Sequence, residues 1–512
     1  MALAFKLNLK TIYFLAGLII FNLVVSWGVT LSNPIVFGDE GYYANHARKL
    51  VENAVIPKYE YVSTDIYLRP FVKPPLYIFL DGFAWLLLGE LGLKLMLPIF
   101  STLTALVIYI FMKKYYSERA GFFAAFIFLM TPALITYSVL NYVDSFLALL
   151  FSLGLFFGYR AIRDNHKKDY IMTGVISGLA ILTKVSGLIL PLLFLIYFAT
   201  RKFHNYKKLL LIIAITAAVV FPWVLRGTLL FGEACYGIVE RCDDITTVAI
   251  ETNPNLKFAG ELQQVGTNVG FFDIGLVFFS DFAFGYAVFL LTILGLALMF
   301  FKRSPANRYI VLSLFVFAAI FLVGGGYRSE DTARFLVPAV VGMAIISGNF
   351  LENIYSYVKE KRRFIAVLLI LLILYATWAY GSSKLSTMND VKAFSSGFLL
   401  GCDWVKKNTA EDSKIFTIYA HQTNYQCERS ATARVPDKAD IQLSYNDTSY
   451  EHLKLHGFDY VYVQGFALDS VAYTEVFTYD FLNYLDKSPK FEKVYDNTQQ
   501  FQGNGVVLYQ VL

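Results

Sequence analysis

Charged side chains stand at the ends of apolar runs, and they are the residues of this chain that could carry chemistry. Asp39 and Glu40 are adjacent in the polar stretch after the first apolar run, and Lys73 precedes a Pro-Pro pair near its end. Asp144 lies in Asn-Tyr-Val-Asp-Ser, between two further apolar runs. A carboxylate at the rim of low-dielectric surroundings can have its pKa raised towards that of a general base. Asp39 and Asp144 could also bind a divalent cation, Mg²⁺ or Mn²⁺.

Both aspartates also have a simpler interpretation. Each stands at the start of a predicted helix, where its side chain could cap free backbone N–H groups. For Asp39 that helix begins near Tyr42. From the residues alone, capping is the favoured interpretation of Asp39, and a site that joins the two carboxylates remains open.

Four cations lie near the polar ends of apolar runs: Lys73, Lys184, Arg226 and Arg334. Charge near the membrane is costly, so function is the default hypothesis for each. If the cations converge on one face, they suit a phosphate or pyrophosphate. Alternatively, each side chain reaches lipid headgroups or pairs with a local acid. As a set they favour an anionic, lipid-linked substrate.

The composition is that of a membrane protein. Of the 512 residues, 56% are hydrophobic and 16% are charged, whereas soluble domains have about 25% charged residues. The net charge of +5 comes without a basic arm or stripe, so nothing suggests nucleic-acid binding. The run 11–31 is too long for the core of a signal peptide, which predicts a retained first span.

Apolar runs predict about eleven transmembrane helices, near 11–31, 93–112, 120–140, 145–159, 170–183, 185–200, 208–225, 275–301, 309–325, 335–354 and 364–381. Basic clusters on alternate short loops place the N-terminus in the cytoplasm and the C-terminal part outside. Pro75 to Leu88 is only about fourteen residues long, short for a span. We interpret it as an external interfacial helix. The first external loop, 32–92, is then predicted to hold two such helices, Tyr42–Asn53 and Leu76–Leu88.

The pattern changes after about residue 383, where short helices alternate with strands rich in β-branched and aromatic residues. This alternation predicts a small external α/β domain, 383–512, beside a membrane domain, 1–382. The predicted helices are 399–407, 450–456 and 471–485. The predicted strands are 414–419, 460–464, 491–495 and 506–512, with a hairpin turn at 503–505.

The cysteines are Cys235, Cys242, Cys402 and Cys427. None forms a Cys-x-x-Cys pair or has the spacing of a zinc site. On the external side, where disulfides can form, Cys235–Cys242 and Cys402–Cys427 are candidate bridges. Four unpaired thiols are an equally open interpretation.

The motifs, taken in chain order, resemble the C-type (GT-C) membrane glycosyltransferases, in particular glycosyltransferase family 39. That family includes protein O-mannosyltransferases and bacterial and archaeal relatives such as the aminoarabinose transferase of lipid A. The matching segments are FGDEGYYANHARKL, KPPLY, NYVDSFLALL, GLAILTKVSGLILPL, FPWVLR and RFLVPAVV.

The resemblance implies a multi-pass cell-envelope enzyme that transfers a hexosyl or pentosyl group from a polyprenyl- or dolichyl-phosphate donor. The acceptor would be a protein, glycan or lipid on the external face, and the reaction an inverting direct displacement. Asp39 would be the general base and Glu40 would support it, while Asp144 would orient the acceptor or a metal. The donor phosphate would be held by Lys73, Lys184, Arg226 and Arg334.

The chain departs from the protein O-mannosyltransferases in two places. Lys73 stands where they usually have histidine, and the loop 226–274 is too short for their large loop domain. Two other classes of function also stay open, a transporter or flippase for a lipid-linked substrate and a non-catalytic assembly factor. A transporter is expected to show internal repeats, which we do not find, and an assembly factor leaves Asp39 and Lys73 unexplained.

Overall fold

A computed structural model gives the architecture. It describes residues 9–36, 39–58, 71, 73–200, 206–232, 285–302, 304–323, 334–358, 363–417, 419–432, 447–464, 479–501 and 505–512.

Helices make up nearly all of the described chain before residue 409, because an apolar segment in lipid must satisfy its backbone hydrogen bonds internally. They are α1 (Leu9–Ser32), α2 (Glu40–Asn53), α3 (Leu76–Leu88), α4 (Glu90–Tyr115), α5 (Glu118–Met130), α6 (Pro132–Tyr137), α7 (Asp144–Asp164), α8 (Lys167–Ile181), a 3₁₀ turn (Val185–Leu188), α9 (Ile189–Thr200), α10 (Tyr206–Phe231), α11 (Tyr286–Phe301), α12 (Pro305–Val323), α13 (Val337–Tyr357) and α14 (Arg363–Asn408).

The chain is a multi-pass helical membrane protein. Within the described residues, five helices contain a segment long and apolar enough to cross a membrane. They are α1, α4, α7, α10 and α13, and shorter apolar helices lie between and after them. The predicted run 120–140 is divided into α5 and α6 at Pro132, whose ring leaves no N–H for a continuous helix. The count of eleven spans and the orientation across the membrane stay predictions.

The two helices predicted for the first loop are confirmed. α2 begins two residues earlier than predicted, at Glu40, and α3 has the predicted bounds. The 13 residues of α3 extend about 20 Å, less than the roughly 30 Å hydrocarbon core. Gly89 follows α3 with φ of 61°, a left-handed conformation that glycine adopts without strain, and α4 begins at the next residue. The interfacial position of α2 and α3 stays a prediction.

The C-terminal part forms the predicted small α/β unit around one mixed sheet. The elements are β1 (Lys414–Phe416), α15 (Ala420–Gln426), β2 (Ser430–Thr432), α16 (Asp447–Leu455), β3 (Tyr460–Gln464), α17 (Tyr479–Lys487), β4 (Phe491–Asp496) and β5 (Val506–Val511). The strand order is β2-β1-β3-β5-β4, with β1 parallel to β2 and β3, and β5 antiparallel to β3 and β4. Two elements were not predicted, the short helix α15 and the strand β2.

Helices cover both faces of this sheet. On one face, Phe398 and Val405 of α14 are buried against Leu508 of β5. On the other face, Leu453 and Phe481 are buried against the strands. The predicted domain boundary at residues 382 and 383 falls inside α14, a helix of 46 residues.

A disulfide joins Cys402 in α14 to Cys427 at the end of α15, which confirms this candidate bridge. It ties the short helix to the long one. The other candidate, Cys235–Cys242, lies outside the described residues, as do residues 503 and 504 of the predicted hairpin turn.

Candidate functional site

Asp39 lies at the start of α2, but its side chain does not cap that helix. Instead, Oδ2 accepts a hydrogen bond from Nη1 of Arg334 at 2.9 Å. The Asp39 side chain keeps 32% of its surface exposed, so one end of this ion pair is open to solvent or to a ligand. The Asp39 side chain therefore pairs with a residue distant in the sequence and does not have the capping role that the sequence favoured.

Arg334 joins the two predicted carboxylates. Its Nε lies 3.4 Å from Oδ2 of Asp144, which is fully buried at the first position of α7. The other Asp144 oxygen accepts a hydrogen bond from Nζ of Lys184 at 2.6 Å. A buried carboxylate needs paired charge to offset its desolvation. The result is one chain of alternating charge, Asp39, Arg334, Asp144 and Lys184.

The electrostatic environment of Asp39 differs from the one that the sequence suggested. Burial raises the pKa of the Asp39 carboxyl, but the positive charges of Lys73, Arg334 and His421 outweigh burial and hold that pKa well below its ordinary value. The expectation of a raised pKa is therefore wrong for this arrangement, because the rim around Asp39 is cationic. Asp39 is ionised at neutral pH.

Lys73 belongs to the same region. Its ammonium lies 3.8 Å from the ring centroid of Tyr42, in cation–π contact with α2. The turn that follows is anchored where α8 ends, since the N–H of Leu76 donates to the carbonyl of Leu182 at 2.9 Å. That bond brings the Lys73-Pro74-Pro75 turn and Lys184 to the same end of the helices.

Arg226 contacts backbone instead of the acidic residues. Its guanidinium donates to the carbonyls of Phe71 at 3.1 Å and Pro57 at 2.5 Å. It also lies 4.6 Å from the Trp223 ring. These contacts hold the backbone on both sides of residues 59–70.

Glu40 leads to a buried polar network that sequence reasoning missed. Its Oε1 accepts from the backbone N–H of Asn141 at 2.7 Å. The Asn141 amide donates to Asp81 at 3.1 Å and accepts from the Tyr77 hydroxyl at 2.8 Å. Asp81, Asn141 and Tyr77 are fully buried. The network fixes the segment just before Asp144, and the only sequence signal for it was a carboxylate within the apolar run of α3.

The C-terminal unit contributes His421, which the sequence did not identify either. Its ring lies edge-on to Tyr42, with 5.0 Å between centroids. The backbone of α15 comes so close to α2 that a Cβ at Gly41 would lie 2.8 Å from the His421 carbonyl oxygen. In addition, Arg48 donates to the carbonyls of Asn424 and Tyr425. His421 therefore lies beside Asp39, although it is far away in the sequence.

The geometry around Asp39 and Asp144 bears on the predicted divalent-cation site. Within the described residues there is no group of three or more His, Cys, Asp or Glu side chains that could hold a metal ion. The guanidinium of Arg334 lies between Asp39 and Asp144 and contacts both. A metal bridging them would have to displace a cation, so the residues as arranged do not fit one.

A protein-family model matches part of the chain. Residues 72–225 match the family of dolichyl-phosphate-mannose-protein mannosyltransferases, a segment that includes Lys73, Asp144 and Lys184. No curated protein matches.

The fold is that of known membrane proteins. ArnT from Cupriavidus metallidurans bound to undecaprenyl phosphate is 14% identical, with a TM-score of 0.60 and 97% of each chain covered. Its apo state is 13% identical with a TM-score of 0.64. The apo oligosaccharyltransferase of Archaeoglobus fulgidus is 15% identical, with a TM-score of 0.65 over 90% of this chain and 71% of that chain. The resemblance to family 39 and the GT-C group is confirmed.

Proposed function

We propose that this protein, which shares its fold with ArnT and a family match with the mannosyltransferases, is a membrane glycosyltransferase that uses a polyprenyl-phosphate-linked sugar. The observation that carries the proposal is Asp39, an ionised and partly exposed carboxylate beside Lys73 and Arg334. One side chain can accept a proton while its neighbours bind an anion. The undecaprenyl phosphate in the ArnT structure supports a lipid phosphate as that anion.

In the proposed reaction, Asp39 takes the proton of an acceptor hydroxyl while the acceptor oxygen attacks the anomeric carbon of the donor sugar. The new bond joins that oxygen to the anomeric carbon. The bond from this carbon to the phosphate oxygen breaks, and its electron pair leaves with the polyprenyl phosphate. The configuration inverts because the attack comes from the face opposite the phosphate. We place the reaction on the external face, following the basic internal loops.

Lys73 and Lys184 are the proposed phosphate ligands. A leaving group that gains negative charge is stabilised by cations whose attraction grows in the transition state. Pairing with Asp144 orients the Lys184 ammonium. Arg226 and Arg334 donate to protein oxygens, so we propose that Arg226 positions the backbone at Pro57 and Phe71 and that Arg334 positions the carboxylates, and any contact of either with the phosphate would be secondary to this role. No metal-dependent step is included.

The test is transfer of radiolabelled sugar from a panel of polyprenyl-phosphate donors by purified protein in liposomes. Asp39→Asn should lower turnover by roughly 10²- to 10⁴-fold, the usual contribution of a general base, while donor binding persists. Lys73→Ala should raise the donor KM and lower turnover. The matched controls are Asp403→Asn, which changes an exposed residue of α14, and Lys49→Ala, which changes a half-buried residue of α2 that pairs with Glu52 at 2.9 Å.

Equal transfer by wild type and Asp39→Asn would exclude Asp39 as the base. Equal donor KM values for Lys73→Ala and Lys49→Ala would exclude Lys73 as a phosphate ligand. Both outcomes are read against circular-dichroism spectra and unfolding midpoints, so that a misfolded variant is not mistaken for an inactive one.

A further inference from the structure

A cavity opens at the opposite end of the helices from Asp39 and Asp144. Its volume is about 910 Å³, within the usual range for ligand sites. Asp144 begins α7, whereas Arg163 of the cavity wall lies near the end of that 21-residue helix. At about 1.5 Å per residue, the two sites are separated by nearly the thickness of the membrane core. The cavity is therefore not part of the proposed transfer site.

The wall of this cavity combines cations with tyrosines. It is lined by Tyr115, Tyr159, Ile162, Arg163, Asn165, Tyr170, Tyr197, Phe198, Lys208, Ser304, Pro305 and Ala306. Along the part of the wall that the structure describes, there are two cations and no carboxylate. Two acids adjoin lining residues in the sequence, and each is paired with a cation outside the wall. Asp164 accepts a hydrogen bond from Lys114 at 2.9 Å and also lies 4.0 Å from Arg163, and Asp169 lies 3.1 Å from Arg160. The wall therefore has an excess of positive charge.

Lys208 and Arg163 both contact neutral neighbours at the wall, and Arg163 shares its acidic neighbour Asp164 with Lys114. Lys208 donates to the amide oxygen of Asn165 and lies 5.5 Å from the ring centroid of Tyr170. The Arg163 guanidinium lies 5.0 Å from the centroid of Tyr115. Neutral partners of this kind orient a cation without neutralising it. Both cations therefore suit an anion.

The tyrosines add hydroxyl groups and apolar ring faces. Behind the wall, Tyr309 is fully buried, and its hydroxyl has no hydrogen-bond partner among the described residues. Its ring lies 5.4 Å from that of Tyr159 and 5.9 Å from that of Tyr197. Ile162, Phe198 and Pro305 supply a purely apolar portion. A ligand that fits both portions has an anionic head and an apolar body.

We propose that this cavity binds a phosphate ester with an apolar body, through Arg163 and Lys208 at the phosphate and the tyrosine rings at the body. Phosphate matches the pair of cations because each N–H donor can form a charge-assisted hydrogen bond to a phosphate oxygen. The ester comes either from an anionic phospholipid of the adjoining leaflet or from a soluble phosphate ester. The cavity lies where the helices reach one surface of the membrane, next to the headgroups of that leaflet, and this position favours the lipid.

The experiment compares two double variants of the full-length protein. Arg163→Gln with Lys208→Gln removes both cations of the wall. The matched control, Lys167→Gln with Lys168→Gln, removes two exposed lysines at the start of α8 that do not line the cavity. Retention of phosphatidylglycerol and of phosphatidylcholine is measured by native mass spectrometry after release from nanodiscs. Binding of glycerol 3-phosphate is measured by calorimetry in detergent.

We expect wild type and the control variant to retain phosphatidylglycerol in preference to phosphatidylcholine, and the wall variant to bind it roughly tenfold more weakly. Glycerol 3-phosphate binding with the same dependence on the variants, and without lipid retention, would assign the site to a soluble ester. Equal losses in both double variants, or no binding of either probe by wild type, would overturn the proposal. Unfolding midpoints and Tyr170→Phe, which removes one hydroxyl and no charge, separate a binding defect from misfolding.

Discussion

At the scale of single residues, the behaviour of Asp39 depends on the cations around it. Lys73, Arg334 and His421 lower its pKa against the opposing effect of burial. Such a carboxylate is a weak base, but it is ionised over the whole physiological range. In the proposed reaction, an anionic donor near Lys73 would cancel part of this positive field, and Asp39 would become a stronger base once the donor is bound.

The first prediction concerns the pH dependence of kcat/KM. Asp39 must be ionised to accept a proton, so activity falls as the pH drops through its pKa, and the depressed pKa puts this fall below the ordinary carboxylate range. Lys73→Gln removes one of the cations, raises the pKa of Asp39 and should move the acidic limb to higher pH. The limb should not move in Lys49→Gln. An unchanged limb in Lys73→Gln would show that another group controls it.

The second prediction concerns Arg334. Arg334→Met leaves Asp144 fully buried with Lys184 as its remaining ion-pair partner among the contacts described here. Loss of one partner from a buried ion pair typically costs about 3–5 kcal/mol. We expect a lower unfolding midpoint in detergent, partly restored by adding Asp144→Asn, which removes the buried charge. If wild type and Arg334→Met unfold at the same temperature, the Arg334–Asp144 pair does not stabilise the fold.

Sequence reasoning at this scale found residues that lie in ordered motifs, and missed those that only the fold brings together. Asp144 and Lys184 follow from their positions at the ends of apolar runs on one face. His421 stands in a short polar helix without a motif, and its neighbour Tyr42 is almost 380 positions away. Asn141 acts largely through its backbone N–H and side-chain amide, and nothing in composition marks it.

At the scale of elements, the close approach of α2 and α15 couples the C-terminal unit to the site. Gly41 makes this possible, because a Cβ there would lie 2.8–2.9 Å from the backbone of His421 and Gln422. The Gln426 amide also donates to the carbonyl of Ile35 at 2.8 Å. Neither α15 nor this contact was predicted, because a seven-residue helix carries too little periodicity to be recognised.

The third prediction is that Gly41→Ala separates α15 from α2. Overpacking a close contact typically costs about 1–3 kcal/mol, and here the opposing atoms are backbone, which cannot rotate away. Amide hydrogen exchange should speed up in α15, and turnover should fall. Gly28→Ala in α1 is the matched control, because nothing lies within 4 Å of the added methyl group. Unchanged exchange in Gly41→Ala would contradict the tight packing of these two helices.

At the scale of the whole molecule, hydropathy predicted the plan of the chain well. Wherever the structure describes the apolar runs, they correspond to helices, and the α/β unit follows them, because burial in lipid and in a small sheet leaves distinct periodicities. The charge chain from Asp39 to Lys184 could not be assembled in the same way. It depends on how helices from distant parts of the chain pack side by side.

The fourth prediction concerns orientation. The basic clusters on alternate loops predict that the C-terminal unit lies outside the cell and the N-terminus inside. A protease added to intact cells should therefore remove a tag fused after Leu512 and leave a tag fused before Met1. Permeabilised cells provide the control, since both tags should then be cut. Protection of the C-terminal tag in intact cells would reverse the orientation and with it the side on which we place the transfer reaction.

The uninterrupted α14 limits which sequence changes this protein can accept during evolution. Its 46 residues extend about 69 Å, and each residue turns the helix by about 100°. One inserted or deleted residue between the membrane portion and Phe398 would swing the sheet, α15 and His421 around the axis of α14. Substitutions in this stretch are compatible with the architecture, whereas changes in its length are not. We therefore expect relatives that share the α2–α15 contact to vary in sequence here while keeping the residue count.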